Sequence, residues 1–229
     1  MKRTKQLIYI PTRLHEADEA GSVIKGKHPE MMNIMTPGCS FNILTNDPSF
    51  TAWGWAVIDG KTSAILKTGC IKTKTEGKKR RIRKGDETVQ RTGEIDQVIL
   101  GLIKKYKISY ILTELPHGSQ NASGALMIGI VIGLLKMLSD TLEIGIEWYS
   151  ERDSKKCLLG KISATKIETM IAIDKLYDVP ITKGIGKNRK GEIVALWSGV
   201  GYIDEAVADA LAIYNVAMKE SSTLKLMKR

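Results

Sequence analysis

Three carboxylates lie at the ends of predicted strands or within an apolar segment, where the fold would fix their positions. Asp47 follows an apolar, strand-like run and precedes Pro48, which ends strand pairing and leaves the carboxylate at a sheet edge. Glu114 closes a second apolar run, and Asp209 lies within residues 206–213, a segment so apolar that its acid is expected to face the interior or a cleft. A buried carboxylate needs a partner or a metal ion, because an isolated desolvated charge is costly.

The three acids together indicate metal-dependent hydrolysis of a phosphodiester. Carboxylate oxygens are the hard ligands that Mg²⁺ and Mn²⁺ prefer, and two such ions suit in-line displacement at phosphorus. Taken singly, each acid has a structural alternative: Asp47 caps a turn, Glu114 pairs with an arginine, or Asp209 forms a salt bridge on its helix. A zinc site is not indicated, because the cysteines are odd in number and widely spaced.

Apolar patterns predict the elements that must position these acids. Five strands are predicted from apolar runs bounded by turn residues, over residues 41–46, 53–58, 63–71, 109–114 and 143–149. Five helices are predicted from helical spacing: one that ends near Lys107, one over residues 121–139, one around Lys155 and Lys156, one over 163–177, and one that starts near Ile203. Residues 184–190, rich in glycine and basic side chains, are predicted to form a loop. A meander followed by strands alternating with helices indicates an α/β fold with a mixed five-stranded sheet flanked by helices.

The charge balance favours a polyanionic partner. Lys and Arg number 35 against 25 Asp and Glu, a formal net charge of +10 at pH 7. Such an excess binds phosphates with release of counterions, so nucleic acid is the expected partner. A dense basic run over residues 72–84 is predicted to be a solvated loop.

Length and segment composition set the expected domain organisation. With 229 residues, 43% of them hydrophobic, the chain can bury one good core. We expect an extension of unknown role over residues 1–40, one α/β domain over 41–220 and a short tail over 221–229. The longest apolar region, residues 125–138, is interrupted by Gly129, Gly133 and Lys136, so a membrane span is not expected. The N-terminus lacks a signal-peptide core, which favours a cytoplasmic location.

Three segments, in the same order along the chain, resemble the motifs of the RuvC family of Holliday junction resolvases, phage-type members included. Residues 43–58, Ile-Leu-Thr-Asn-Asp-Pro-Ser-Phe-Thr-Ala-Trp-Gly-Trp-Ala-Val-Ile, resemble its first motif, an aspartate, a small turn and Gly54 in the next strand. Residues 110–114 followed by Asn-Ala-Ser-Gly-Ala-Leu at 121–126 are similar to its second motif, and residues 208–213 to its last. The resemblance covers roughly residues 41–218, and three ordered motifs are more specific than one.

The resemblance implies an RNase H-like fold and a Mg²⁺- or Mn²⁺-dependent endonuclease. Such an enzyme cuts four-way DNA junctions symmetrically as a homodimer. Its expected location is the cytoplasm, which would be the cytoplasm of a bacterial host if the chain is phage-encoded. The resemblance also implies that Asp47, Glu114 and Asp209 are metal ligands and catalytic residues.

One departure from the family pattern concerns the last acid pair. The family usually has an acid or histidine three residues before the final aspartate, and here that position is Ala206. Glu205 is the expected substitute as metal ligand and catalytic residue: at about 100° per residue it lies about 40° from Asp209 around the helix, and Asp204 about 140° away. Asp204 is then expected to be the helix N-cap.

Basic residues near the acids resemble family segments whose lysines contact the scissile strand. Residues 149–156 and 160–166 supply the phosphate candidates Lys155, Lys156, Lys161 and Lys166. Lys166 is also assigned to the catalytic site. In the loop after Glu114, where the family often has an aromatic residue, His117 is a candidate DNA contact by stacking, and the alternative is a polar surface group.

Two other functions are compatible with parts of the sequence. Sugar kinases and actin-like ATPases also begin with an aspartate, a small turn and a glycine-containing second strand, but they normally need two such subdomains and further glycine-rich phosphate loops. A non-catalytic protein that binds branched DNA would explain the net charge, yet it would not need three converging acids. Metal-dependent nicking of DNA separates these possibilities.

Overall fold

A mixed sheet lies at the centre of the computed structural model, which describes residues 7–9, 41–75, 83–119, 121–177, 181–187, 193–199 and 205–228. Its strands are β1 (Leu7–Tyr9), β2 (Asn42–Asp47), β3 (Ala52–Asp59), β4 (Ile65–Lys72), β5 (Ile108–Glu114) and β6 (Gly145–Tyr149). They follow the order β1-β6-β5-β2-β3-β4. β2, β3 and β4 form an antiparallel meander, whereas β5 pairs in parallel with both β2 and β6.

All five predicted strands are present, and the mixed sheet flanked by helices is confirmed. A sixth strand, β1, joins it from the segment predicted as an extension. Its residues Leu7–Tyr9 pair antiparallel with β6, with Ile8 opposite Glu147. β1 therefore covers an edge of β6 that would otherwise offer unpaired backbone groups.

Helices cover both faces of the sheet. They are α1 (Lys84–Tyr106), α2 (Ala122–Thr141), α3 (Glu151–Leu159), α4 (Lys166–Tyr177), α5 (Glu205–Glu220) and α6 (Ser222–Met227). Alternate residues of β2 divide between the two layers: Ile43 belongs to the core formed with α5, and Leu44 to the core formed with α1 and α2. Burial on both faces explains why the central strands are almost wholly apolar.

A two-stranded antiparallel sheet includes residues 184–187 of the predicted loop, whose other residues, 188–190, lie outside the described part of the chain. Its strands, β7 (Ile181–Lys187) and β8 (Ile193–Gly199), pair antiparallel between α4 and α5. Over residues 184–187 the loop prediction is wrong, because it treated Gly184, Gly186 and Lys187 as breakers, whereas all three lie within β7. The tail predicted over 221–229 contains α6, whose N-cap Ser221 accepts a hydrogen bond from the Leu224 amide at 3.0 Å.

α2 is unusually apolar for a helix on the flank of a sheet. By length and composition alone it would be able to cross a membrane, a criterion that core helices of soluble proteins also meet. Val131, Leu135 and Leu138 are buried in the core shared with α1. The opposite face is open, with Leu126 58% and Met137 53% exposed. The sheet thus covers one side of α2 and leaves an apolar side uncovered.

α5 meets the sheet through its backbone as well as its side chains. The hydroxyl of Thr45 in β2 donates a hydrogen bond of 2.5 Å to the carbonyl oxygen of Ala210. At Gly54 in β3, a Cβ atom would stand 2.0 Å from the carbonyl oxygen of Ala206. Gly54 is also the residue opposite Asp47 in the pairing of β2 with β3. The first turn of α5 is therefore held directly beside the end of β2.

Gly54→Ala is expected to destabilise the fold, because the added methyl group overlaps the backbone of α5 and one element must shift. Overpacking of this kind costs about 1–3 kcal/mol. Gly93→Ala is the matched control: nothing lies within 4 Å of its Cβ position on α1, and replacing a helical glycine should stabilise by about 0.5–1 kcal/mol. Thermal melting of the two variants should move in opposite directions, and equal shifts would contradict this packing.

Candidate active site

Two of the predicted acids end adjacent parallel strands. Asp47 is the last residue of β2 and Glu114 the last residue of β5. The two strands pair in register as far as Asn46 opposite Thr113, so both carboxylates emerge at the same edge of the sheet. Asp209 comes from the second turn of α5, whose first turn lies against the residue opposite Asp47. Two strands and one helix therefore supply the three acids.

The electrostatics of Glu114 show that carboxylates converge on it. The pKa of Glu114 is raised to about 9, first by burial and then by the negative charges of Asp47, Asp209 and Glu151, while Lys155 opposes them. Like charges act in this way when they share a poorly solvated site. The structure thus brings together the three acids predicted from the sequence and adds a fourth, Glu151.

Glu151 is the acid that sequence reasoning misses. It is the first residue of α3, directly after β6, and the pairing of β6 with β5 places Tyr149 opposite Glu114. In the sequence, an acid at this position is fully explained by the favourable dipole at a helix N-terminus. An ion pair with Lys155, one turn later, lowers the pKa of Glu151. Only the pairing of the two strands could have singled it out.

Glu114, His117 and Glu151 form a compact group of possible metal ligands. Their ligand atoms all lie within 4.8 Å of one another. His117 is exposed in the loop that follows β5. The group therefore offers two carboxylates and one imidazole to a divalent cation.

Glu205 and Lys166 meet where α5 and α4 begin. Glu205 is the first residue of α5 and stands four residues before Asp209, on the same helix face. Its carboxylate forms an ion pair with the Lys166 ammonium group, and both side chains are well exposed. The predicted second helix acid and the predicted catalytic lysine are therefore partners of each other.

The absence of an acid at Ala206 has a packing reason. Ala206 is only 7% exposed, and its Cβ atom would lie 2.8 Å from a Cβ atom at Gly54. A longer side chain there would have to enter the contact between α5 and β3. The preceding residue, Glu205, is free of this contact, whereas Asp204, its alternative, lies outside the described residues.

The lysine candidates differ in their surroundings. Lys155 has a side chain only 15% exposed, held by Glu151. Burial alone would lower the pKa of Lys155, but the hydrogen bond to Glu151 and the charges of Asp209 and Glu114 raise it overall. Lys156 is exposed, and Lys161 is ion-paired with an acid of α4. Among the four lysine candidates, Lys155 is thus the one that is largely buried and that interacts with Asp209 and Glu114.

The turn that follows Asp47 is tied to α1. The Thr73 hydroxyl donates a hydrogen bond of 2.6 Å to the carbonyl oxygen of Phe50. Arg91 donates to the same oxygen at 3.2 Å and to the Thr73 hydroxyl at 2.9 Å. Its guanidinium carbon also lies 4.5 Å from the centroid of the Phe50 ring. These contacts fix the path of the chain just beyond Asp47.

Comparison with known proteins gives a consistent family. The family model "Crossover junction endodeoxyribonuclease RuvC" matches residues 43–184. The RuvC protein of Chlorobium phaeobacteroides is 25% identical over 139 residues, which are 60% of this chain and 70% of that protein. The RuvC protein of Chlamydia abortus is 21% identical over 100 residues, 44% of this chain and 61% of that protein. The matched range contains Asp47, Glu114 and Glu151, and Asp209 follows it.

Solved structures share the fold. Thermus thermophilus RuvC in complex with Holliday junction substrate has a TM-score of 0.58 at 16% identity, covering 78% of this chain and 93% of that chain. A second structure of Thermus thermophilus RuvC has a TM-score of 0.55 at 17% identity, with the same coverage. The RNase H-like fold expected from the sequence is therefore confirmed.

In the metal-free protein, Glu114 should make stability fall as pH rises. Its pKa is raised from 4.5 to about 9 on folding, so the folded state keeps a proton that the unfolded state has released. This contribution is complete below the unfolded pKa and is lost as pH rises through the folded pKa. Thermal melting in a chelator across that window should show a decline that Glu114→Gln makes shallower. An unchanged slope in the variant would contradict the convergence of charges.

Proposed function

The chain belongs to the RuvC family of crossover junction endodeoxyribonucleases, and we propose that it cleaves four-way DNA junctions by metal-dependent hydrolysis at the acids beside β2 and β5. The observation that carries this proposal is the convergence of Asp47, Asp209 and Glu151 on Glu114. A folded protein gains nothing structural from such repulsion, and a bound cation relieves it. The fold is shared with a RuvC that has been solved with a Holliday junction.

The residues present fit a divalent metal centre. The donors are carboxylates at the ends of adjacent strands, and the like charges around the buried Glu114 would be neutralised more fully by a divalent cation than by a single proton. Asp47, Glu114 and Asp209 would hold the metal, with Glu205 as the fourth acid predicted from the sequence. Bound Mg²⁺ or Mn²⁺ would supply an activated water and neutralise charge on the scissile phosphate.

The lysines of the chain are proposed to hold the DNA strand. Lys155 and Lys166 carry positive charge beside the acids, where the scissile phosphate must come, through their pairs with Glu151 and Glu205. Lys156 and Lys161 are proposed to contact phosphates further along the strand. His117, exposed next to Glu114, is proposed as a DNA contact at the junction. These basic groups and the net charge of +10 both favour a polyanionic partner.

The uncovered face of α2 supports a homodimer. Most of its exposed residues are small or apolar: Ala122, Ala125, Leu126, Gly129, Gly133 and Met137. Small residues let a second helix approach closely, and large apolar ones exclude water from such a contact. A second copy is the proposed occupant, because symmetric cleavage of a junction requires two active sites related by a twofold axis.

The other functions considered from the sequence are less well supported. The family match speaks against an ATPase of the sugar-kinase or actin-like type. A non-catalytic junction-binding protein is the alternative that a cleavage assay would exclude. The cytoplasmic location stays a prediction.

Neutralising the converging acids should abolish cleavage and spare junction binding. Asp47→Asn and Glu114→Gln keep side-chain shape but weaken metal attraction, so single-turnover cleavage of a synthetic four-way junction should disappear while affinity is unchanged or improved. Activity should require Mg²⁺ or Mn²⁺ and vanish in chelator. Glu94→Gln, an exposed acid of α1, is the control.

The same assay ranks the helix acids. Glu205→Gln should lower the rate severely, whereas Asp204→Asn should cost only stability, seen in thermal melting. Near-normal rates for either Asp47→Asn or Glu114→Gln in saturating metal would remove that acid from the site. The reverse ranking of Glu205 and Asp204 would move the start of the helix.

Leu126→Glu should convert a dimer into a monomer, because it places charge in the centre of the exposed α2 face. Val89→Glu is the matched control: Val89 is 72% exposed but lies on α1, so the dimer should persist. Sedimentation velocity of both variants and of the parent chain reads the outcome directly. A parent chain that is monomeric even on a junction would contradict the dimer.

A further inference from the structure

Glu147 is a buried carboxylate that is not one of the active-site acids, and it lies two residues before the end of β6. Glu147 in β6 is 1% exposed. Its Oε1 atom accepts hydrogen bonds from the Tyr110 hydroxyl at 2.9 Å and the Ser221 hydroxyl at 2.7 Å, and its Oε2 atom accepts one from the Tyr149 hydroxyl. All three donors are neutral hydroxyl groups. Apolar residues of similar volume would usually stabilise a core at least as well, so the retained acid calls for a reason beyond stability.

The three donors come from the elements that carry the active-site acids. Tyr110 lies in β5, four residues before Glu114. Ser221 directly follows α5, the helix of Asp209, and caps α6. Tyr149 ends β6, immediately before α3. Glu147 therefore connects β5, β6 and the residue that follows α5 at a single buried point.

Tyr149 is the donor in direct contact with the site. It stands opposite Glu114 in the parallel pairing of β5 with β6, and its carbonyl oxygen accepts a hydrogen bond of 2.8 Å from the Leu115 amide. It is 4% exposed and belongs to the core on the α5 face. The backbone of Tyr149 is thus paired with the strand end that carries Glu114, and its hydroxyl is held by Glu147.

Tyr149 also directly precedes the residue that caps α3. The next residue, Ser150, caps α3 by accepting a hydrogen bond of 3.1 Å from the Asp153 amide. The helix then presents Glu151 and Lys155 to the site. A shift of Tyr149 would therefore move Glu114 and this pair together.

We propose that Glu147 is a positioning residue for the nuclease site, acting through its hydrogen bond with Tyr149 to set Glu114 and the start of α3 relative to Asp47 and Asp209. This proposal rests on the proposed function, because Glu114, Asp47 and Asp209 are the metal ligands of that function. Glu147 itself touches neither metal nor DNA. Its carboxylate is suited to the task because both oxygens accept and neither donates.

Glutamine at position 147 would keep the shape and change the bonding. One of its two polar atoms is an NH₂ group, which cannot accept from a hydroxyl. The link to Tyr149 or the links to Tyr110 and Ser221 would then have to reverse direction, and the stronger bonds to a carboxylate would be lost.

The test separates positioning from stability with four variants. Tyr149→Phe removes the link to the site and Glu147→Gln replaces the carboxylate that accepts it, whereas Tyr110→Phe and Ser221→Ala remove the other two links to the same carboxylate. The first readout is the thermal shift produced by titrated Mn²⁺, which measures metal affinity without DNA. The second is the Mg²⁺ concentration for half-maximal single-turnover junction cleavage.

Tyr149→Phe and Glu147→Gln should raise both metal midpoints by about threefold to tenfold, somewhat less than the loss typical for a group bonded directly to a ligand. Tyr110→Phe and Ser221→Ala should lower the melting temperature with midpoints unchanged. Midpoints for Tyr149→Phe that equal those of the parent chain, or that shift in all four variants in proportion to melting temperature, would overturn the proposal. Should Glu147→Gln fail to fold, Tyr149→Phe decides alone. Metal binding without junction cleavage by the parent chain would instead contradict the proposed function and leave the Mn²⁺ test valid.

Discussion

Repulsion among the carboxylates at the ends of β2 and β5 is the constraint on which the rest of the structure depends. Burial and neighbouring negative charges raise the pKa of Glu114 to about 9, so these acids do not come together for their own stability. The fold must hold them there by other means. It does so with a parallel strand pair, a helix packed directly on the sheet, and the partly buried cation of Lys155. Such a cluster is typical of a site whose charge a divalent cation completes.

Close backbone packing decides which acids reach this site. Gly54 has no side chain, and the carbonyl group of Ala206 occupies the space where one would be. The contact brings the first turns of α5 to the end of β2, and the same contact excludes a long side chain at Ala206. An acid one residue earlier, Glu205, avoids this restriction and meets Lys166 instead. The departure from the family pattern and the small residues at Gly54 and Ala206 therefore have one physical origin.

The two faces of the sheet carry different tasks. The layer of α3, α4 and α5 presents Glu151, Glu205, Asp209 and the paired lysines, while α1 holds the turn after Asp47 through Arg91. α2 turns an apolar, small-residue face outward, away from the sheet. Association through that face would leave the side of the sheet that bears α5 open to DNA. Between the layers, Glu147 ties β5, β6 and the end of α5 to one buried point.

The sequence by itself determined the five strands, most helices and the acids Asp47, Glu114 and Asp209, because these follow from local periodicity and from short motifs in a fixed order. The tertiary structure alone decided that Glu151 joins them, because its position in the sequence is that of an ordinary helix-start residue, and only the pairing of β6 with β5 brings it beside Glu114. The bonds of Glu147 span 37 residues to Tyr110 and 74 to Ser221, distances over which no periodicity operates. The strands β7 and β8 were missed for a different reason: Gly184, Gly186 and Lys187 interrupt, within β7, the apolar pattern from which the other strands were predicted.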